Sequence, residues 1–230
     1  MTELLLRWLH FLAGITWIGL LYYFNFVQGP FFAEADAATK SVATQKLVPR
    51  ALWWFRWSAS VTFLSGALII AKRIGEAPAG TSAMMTPWGE AIFTGALLGT
   101  VMLANVWGVI WRNQRVVIAS AVAAATGGKA NPAAAAAGRR AFLASRTNVV
   151  FSIPMLFFMG AATHMPPSPI IHPTAYWIGL LIVVALLEVN ALVATTGLTT
   201  KPIEKIPGVI TTGFAVWAVV YALVQWVLTG

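Results

Sequence analysis

The sequence predicts an all-α integral membrane protein, a single domain over residues 1–230 built as a bundle of six transmembrane helices. Three observations carry that prediction. Of 230 residues, 59% are hydrophobic and only 10% charged, against a charged share of about 25% in soluble domains. Six apolar segments each approach the ~20 residues that a helix needs to cross a bilayer. Lysine and arginine also collect on alternate connections, 12 against 3, the asymmetry that orients membrane proteins. Together these leave no room for a large extramembrane catalytic domain. The net charge of +8 then describes a membrane surface, and nucleic acid is not expected as a partner.

The first segment, residues 4–27, is too apolar and too long for a secretory signal, and no small-x-small cleavage site follows it, so it is expected to be retained as a span. The second, 53–71, opens on Trp53, Trp54 and Trp57, amphipathic rings suited to the headgroup level. The third, 91–111, closes on Trp111 and carries Gly95 and Gly99, a spacing that permits close helix contact. The fourth covers 147–164, the fifth 175–196 and the sixth 206–228. No segment alternates with period two over a strand length, which argues against a β-barrel. The connection 112–146 is alanine-rich around Thr126-Gly127-Gly128 and Asn131-Pro132, so it should form helical extensions of its flanking spans joined by a turn. The connection 165–174 has four prolines and no charge, the mark of a stiff turn. The basic residues gather on the first, third and fifth connections, which places both termini on the outer, periplasmic side of a bacterial inner membrane.

Ionisable groups inside spans are functional candidates by default, because lipid should exclude them. His10 lies in the first span and His164 at the end of the fourth, both in the outer leaflet, at an estimated ~7 Å and ~12 Å above the midplane. Gly14 follows His10 by four residues and Gly160 precedes His164 by four, so each imidazole has an empty patch on its own face. A flat macrocycle needs such room. The pattern suits a b-type haem with His10 and His164 as axial ligands to the metal and Arg7 as a propionate partner. It suits equally two interfacial histidines bonded to neighbouring helices. His172, His164, Met165, Met84 and Met85 make a scattered imidazole and thioether set that ranks copper second. Glu188 and Asn190 interrupt the fifth span, where a carboxyl must be neutral or strongly partnered. Its roles divide between a proton relay or quinone contact and an interhelical hydrogen bond to Asn105 or Asn148. With no cysteine in the chain, thiolate metal sites, iron–sulfur clusters and covalently attached c-type haem are absent. No catalytic residue is assignable.

The runs Arg7-Trp-Leu-His-Phe-Leu-Ala-Gly-Ile-Thr-Trp-Ile-Gly19, Tyr22-Tyr-Phe-Asn-Phe26 and Pro49-Arg-Ala-Leu-Trp-Trp-Phe-Arg-Trp57 resemble the membrane domain of the PuuD-type urate hydroxylases, the urate oxidase N-terminal domain family. So do Trp111-Arg-Asn-Gln114 and the run from Arg146 to Met159. The resemblance implies a membrane redox protein, urate hydroxylase-like, that passes electrons to a periplasmic acceptor such as a cytochrome c. The C-terminal cytochrome of that family is expected to be missing, since it needs cysteines. The other expectation is a non-catalytic accessory subunit packed against a larger respiratory or photosynthetic complex, with lipid around it in either case.

Overall fold

In the computed structural model, which describes residues 1–77, 82–164 and 171–229, the described chain is helical and contains no strand. Six helices are long and apolar enough to cross a membrane. In chain order they are α1 (Thr2–Glu34), α3 (Val48–Gly75), α4 (Pro87–Ala125), α5 (Ala134–Ala161), α6 (Pro173–Val193) and α8 (Ile206–Thr229). Two short helices stand between them, α2 (Ala37–Lys46) and α7 (Lys201–Glu204).

The helices begin where the chain chemistry says they should. Thr86 accepts the Gly89 N–H at 3.0 Å ahead of α4. Asp36 accepts the N–H groups of Ala38 and Thr39 at 2.9 Å ahead of α2, and proline occupies the first turn of α3, α4 and α6, where its missing N–H costs nothing. Bonds to those backbone donors hold the Asp36 carboxyl below its ordinary range.

Short connections make successive spans antiparallel, which gives the bundle two ends. At one end Glu3 accepts hydrogen bonds from Arg7 and Arg73. At the other, Arg139 donates to the Thr195 carbonyl at 2.7 Å and to Glu204 at 2.5 Å. The 12-to-3 distribution of basic residues falls entirely along this axis, with the excess at the Glu204 end.

The central helix is α5. In its most apolar stretch 67% of residues are buried, against 17% in α1 and in α8, so the outer helices turn most of their surface to lipid. On one side α5 packs on α4, and on the other on α8 and α6, with α1 laid against α3. Phe151, Phe158, Leu98, Leu180 and Tyr176 fill the interior without measurable exposure. Pro154 sits inside α5 and frees the carbonyl of Val150. Gly213 of α8 comes close to that carbonyl, its missing Cβ 2.4 Å from Ile153 and 3.4 Å from the Val150 oxygen.

Several boundaries differ from those expected. The third span runs 39 residues to Ala125 and the fourth begins at Ala134, so the connection 112–146 contracts to residues 126–133, turned by Gly127 at φ +82°. The first span is 33 residues long. Polar residues sit in both extensions, because beyond the bilayer a helix needs only one apolar face. Of the expected glycine pair, Gly95 packs on Met159 whereas Gly99 meets nothing within 4 Å. Two spans contain a π-helical turn, Tyr23–Gln28 in α1 and Asn105–Ile110 in α4.

Candidate functional site

Both π turns face α5, and each puts a buried asparagine against it. Asn25 donates to the Leu21 carbonyl and to Ser145 Oγ, both at 2.8 Å. Asn105 spends its amide hydrogens on Asn148 Oδ1 at 2.9 Å and Glu188 Oε2 at 3.0 Å. Asn148 in turn donates to the Met102 carbonyl at 3.0 Å, and Tyr22 shares a 2.9 Å bond with Ser152. The result is a polar layer across α1, α4, α5 and α6. Short π segments recur at functional positions because they rotate one side chain out of the helical register. Here they aim two amides at the central helix.

Glu188 therefore has the interhelical partner that its depth demands. It lies five residues beyond the middle of α6, ~8 Å toward the Glu204 end. Asn190 donates to the Thr199 carbonyl at 3.1 Å and ties down the chain after α6.

The histidines occupy different places. His10 lies on the α3 side of α1, with Nδ1 2.9 Å from the Thr62 carbonyl and 3.3 Å from Ser65 Oγ. Only a protonated nitrogen satisfies a carbonyl, so Nδ1 carries the hydrogen and Nε2 keeps its lone pair. Gly66 makes the space, since a Cβ there would stand 2.9 Å from the His10 ring. The patch at Gly14 is filled by Thr62, 3.8 Å from where its Cβ would be. Arg7 is engaged by Glu3, which also takes Arg73 at 2.9 Å and Lys72 at 3.8 Å.

His164 lies on the α8 side of α5. It lines a groove of about 510 Å³ with Leu156, Phe157, Gly160, Ala161, Tyr221 and Gln225. Nothing approaches within 4 Å of a Cβ at Gly160, so the patch expected beneath this imidazole is open. Phe157 meets the stacked rings of Trp217 and Tyr221 edge-on along the same wall. His172 stacks on Trp226 at 4.7 Å. Met165 and the side chain of Met84 lie outside the described residues, and Met85 is exposed. Among the described residues no three His, Asp or Glu side chains gather to hold a metal ion.

The fit to a haem follows from this placement. The groove is open and largely apolar with one imidazole, His164, on its rim, the residue that would hold such a group there. The described structure does not bring His10 and His164 to one slot.

Three polar groups were missed in the sequence. Glu90 is fully buried, though its segment reads as beginning at Ala91. Arg56 lies 3.8 Å over the Trp111 ring, and Arg146, 5% exposed, lies over Phe142 at 5.0 Å. Both guanidiniums read as surface charge. For Glu90 the signal was its helical phase: Glu90, Thr94, Leu98, Met102 and Asn105 follow at three and four residues, one continuous stripe facing α5.

No curated protein and no solved structure matches the chain. The family described as urate oxidase N-terminal matches residues 76–225. That stretch begins after the Arg7 to Trp57 motifs and includes both Trp111-Arg-Asn-Gln114 and the Arg146 to Met159 run, so the amide and carboxyl layer on α4, α5 and α6 lies inside it. With 150 of 230 residues matched and six helices able to span a membrane, the chain belongs to the urate oxidase N-terminal family.

Proposed function

We propose that the chain is a membrane redox protein that holds a b-type haem in the groove beside His164, and that it passes electrons to an acceptor, such as a cytochrome c, at the Glu3 end. The carrying observation is the groove itself. An imidazole on its rim, an open glycine patch one turn deeper and walls of Phe157 and Tyr221 offer a ligand, clearance and a dry surface for a planar ring. A haem bound there would supply a one-electron couple. The chain's own part is to place His164 at the end of α5, to exclude water with the aromatic wall and to keep the site near one membrane face. The basic excess at the Glu204 end supports placing that end in the bacterial cytoplasm, and hence the Glu3 end on the periplasmic side.

The test is a reduced-minus-oxidised absorption spectrum of the purified protein. An α-band is expected in the native chain, abolished in His164→Ala and retained in His10→Ala. Loss of the band in both variants would restore the two-ligand arrangement, and a folded, colourless protein would end the haem reading.

The accessory-subunit reading finds its support in α1, where Leu4, Leu5, Trp8, Phe11 and Ile15 stay more than half exposed and form a ridge free to meet another membrane protein. It predicts co-purification at fixed stoichiometry with a larger complex after mild extraction; migration alone on a native gel counts against it.

A further inference from the structure

Glu90 stands in the first turn of α4, 0% exposed, and both of its carboxylate oxygens have no hydrogen-bond partner among the described residues. The hydroxyl pair one turn deeper cannot supply one. Thr94 Oγ1 spends its hydrogen on the Glu90 backbone carbonyl at 2.6 Å. Its 2.5 Å bond to the Tyr176 hydroxyl must therefore take the Tyr176 hydrogen. Both hydroxyl protons are committed, and the Tyr176 oxygen, bonded to Thr94 one turn from Glu90 on the same helix face, offers only lone pairs.

The place is thus a set of oxygen acceptors with no donor. An isolated buried carboxylate is costly unless something compensates it. The α4 N-terminus favours negative charge nearby, yet it puts no hydrogen on these oxygens. No basic residue answers either, since Arg7, Lys72 and Arg73 are paired with Glu3, and Lys72 also with Glu76. At this end α6 contributes Tyr176, with His172 at its start stacked on Trp226 and Glu188 about three turns deeper. At this end α5 contributes Met155 and Phe158, uncharged, and is followed by Ala162, with His164 turned to the α8 groove, and the 83–85 turn brings no charge. Gly89 lets that turn seal the site, because a Cβ there would sit 1.6 Å from the Ala83 carbonyl.

We propose that Glu90 and the Tyr176 oxygen form a monovalent-cation site, filled by a proton or an alkali metal ion that exchanges with the Glu3 end. One carboxylate matches one positive charge, and hard oxygen ligands suit either occupant. The exchange side follows from depth, since Glu90 is three residues into α4, ~5 Å below its start.

The test is infrared spectroscopy of the full-length protein in liposomes, read across pH with and without sodium or potassium chloride. At low salt the native protein is expected to show a carboxylic acid C=O band that moves in D₂O and is lost in Glu90→Gln but kept in Glu188→Gln. Conversion of that band to carboxylate absorption by sodium or potassium at fixed pH identifies an alkali ion; indifference to both salts, with titration by pH, identifies the proton. Tyr176→Phe keeps the carboxyl and removes the oxygen ligand, so it is expected to shift the midpoint of the pH or salt response. The proposal is overturned if Glu90→Gln superimposes on the native spectrum at every pH and salt, if the band moves with neither D₂O, pH nor salt, or if Tyr176→Phe leaves the midpoint in place.

Discussion

Asn105 shows how much one amide can do in a membrane interior. Its two hydrogens reach Asn148 on α5 and Glu188 on α6, so three spans meet through one side chain. Asn105→Leu is expected to strand both acceptors and to cost about 1–2 kcal/mol, read as a fall of a few degrees in the unfolding midpoint in detergent, whereas Thr100→Ala on the same helix, exposed, should leave it unchanged. An asparagine inside an apolar run announces a partner, which is why Asn105 and Asn148 stood out in the sequence as candidates for Glu188. Glu90 did not, because its surroundings depend on the turn folded onto Gly89 and on α6, far along the chain, which bonds Thr94 one turn deeper. His10 differs again. The residue was evident, but the slot beside Gly66 that accepts its ring arises from the pairing of α1 with α3.

Helix junctions here depend on glycines that touch backbone. At Gly89 and Gly208 an added Cβ would lie 1.6 Å from the Ala83 oxygen and 2.2 Å from the Pro202 oxygen, and no side-chain rotation relieves either clash. Gly89→Ala and Gly208→Ala should each destabilise by roughly 2 kcal/mol or more, seen as early proteolysis at the 83–89 and 202–208 corners. Gly213→Ala should be milder, since the atom it meets is the tip of Ile153. The α6–α8 junction also carries an acid-sensitive clasp. Hydrogen bonding to Arg139 holds the Glu204 carboxyl below its ordinary value of 4.5. A depressed carboxyl contributes above that ordinary value and loses its contribution as pH falls through the folded one. Hydrogen exchange at 194–206 should therefore accelerate on acidification in the native chain and be insensitive to the same change in Arg139→Gln. The sequence showed these spans as apolar runs, but their ends followed tertiary contacts. Val48 to Leu52 and the stretch after Trp111 continue as helix against α2, α4 and α5, a support that no local hydropathy records.

At the scale of the whole molecule the charge asymmetry becomes an experiment. The chain contains no cysteine, so single cysteines can be introduced without removing native ones. Ser82→Cys at the Glu3 end and Lys129→Cys at the opposite turn should label from opposite sides in right-side-out spheroplasts, with Ser82→Cys reacting with an impermeant maleimide and Lys129→Cys only after lysis. The reverse pattern would invert the assignment of the Glu204 end to the cytoplasm. The number of spans and their antiparallel order could be read from apolar length and basic residues alone, because both are set by the bilayer. Which helix stands at the centre could not, since α5 is no more apolar than its neighbours and earns its position through Asn148, Ser152 and Pro154.

The length of α4 bears on what can reach this membrane face. Its 39 residues measure ~58 Å as a helix, about twice a hydrocarbon core of ~30 Å. With the start of α5 beside it, the excess stands clear of the lipid as a basic two-helix spur tipped by Gly127 and Lys129. A large globular body approaching from that side meets the spur before the bilayer, and is kept on the order of 20 Å from the spans.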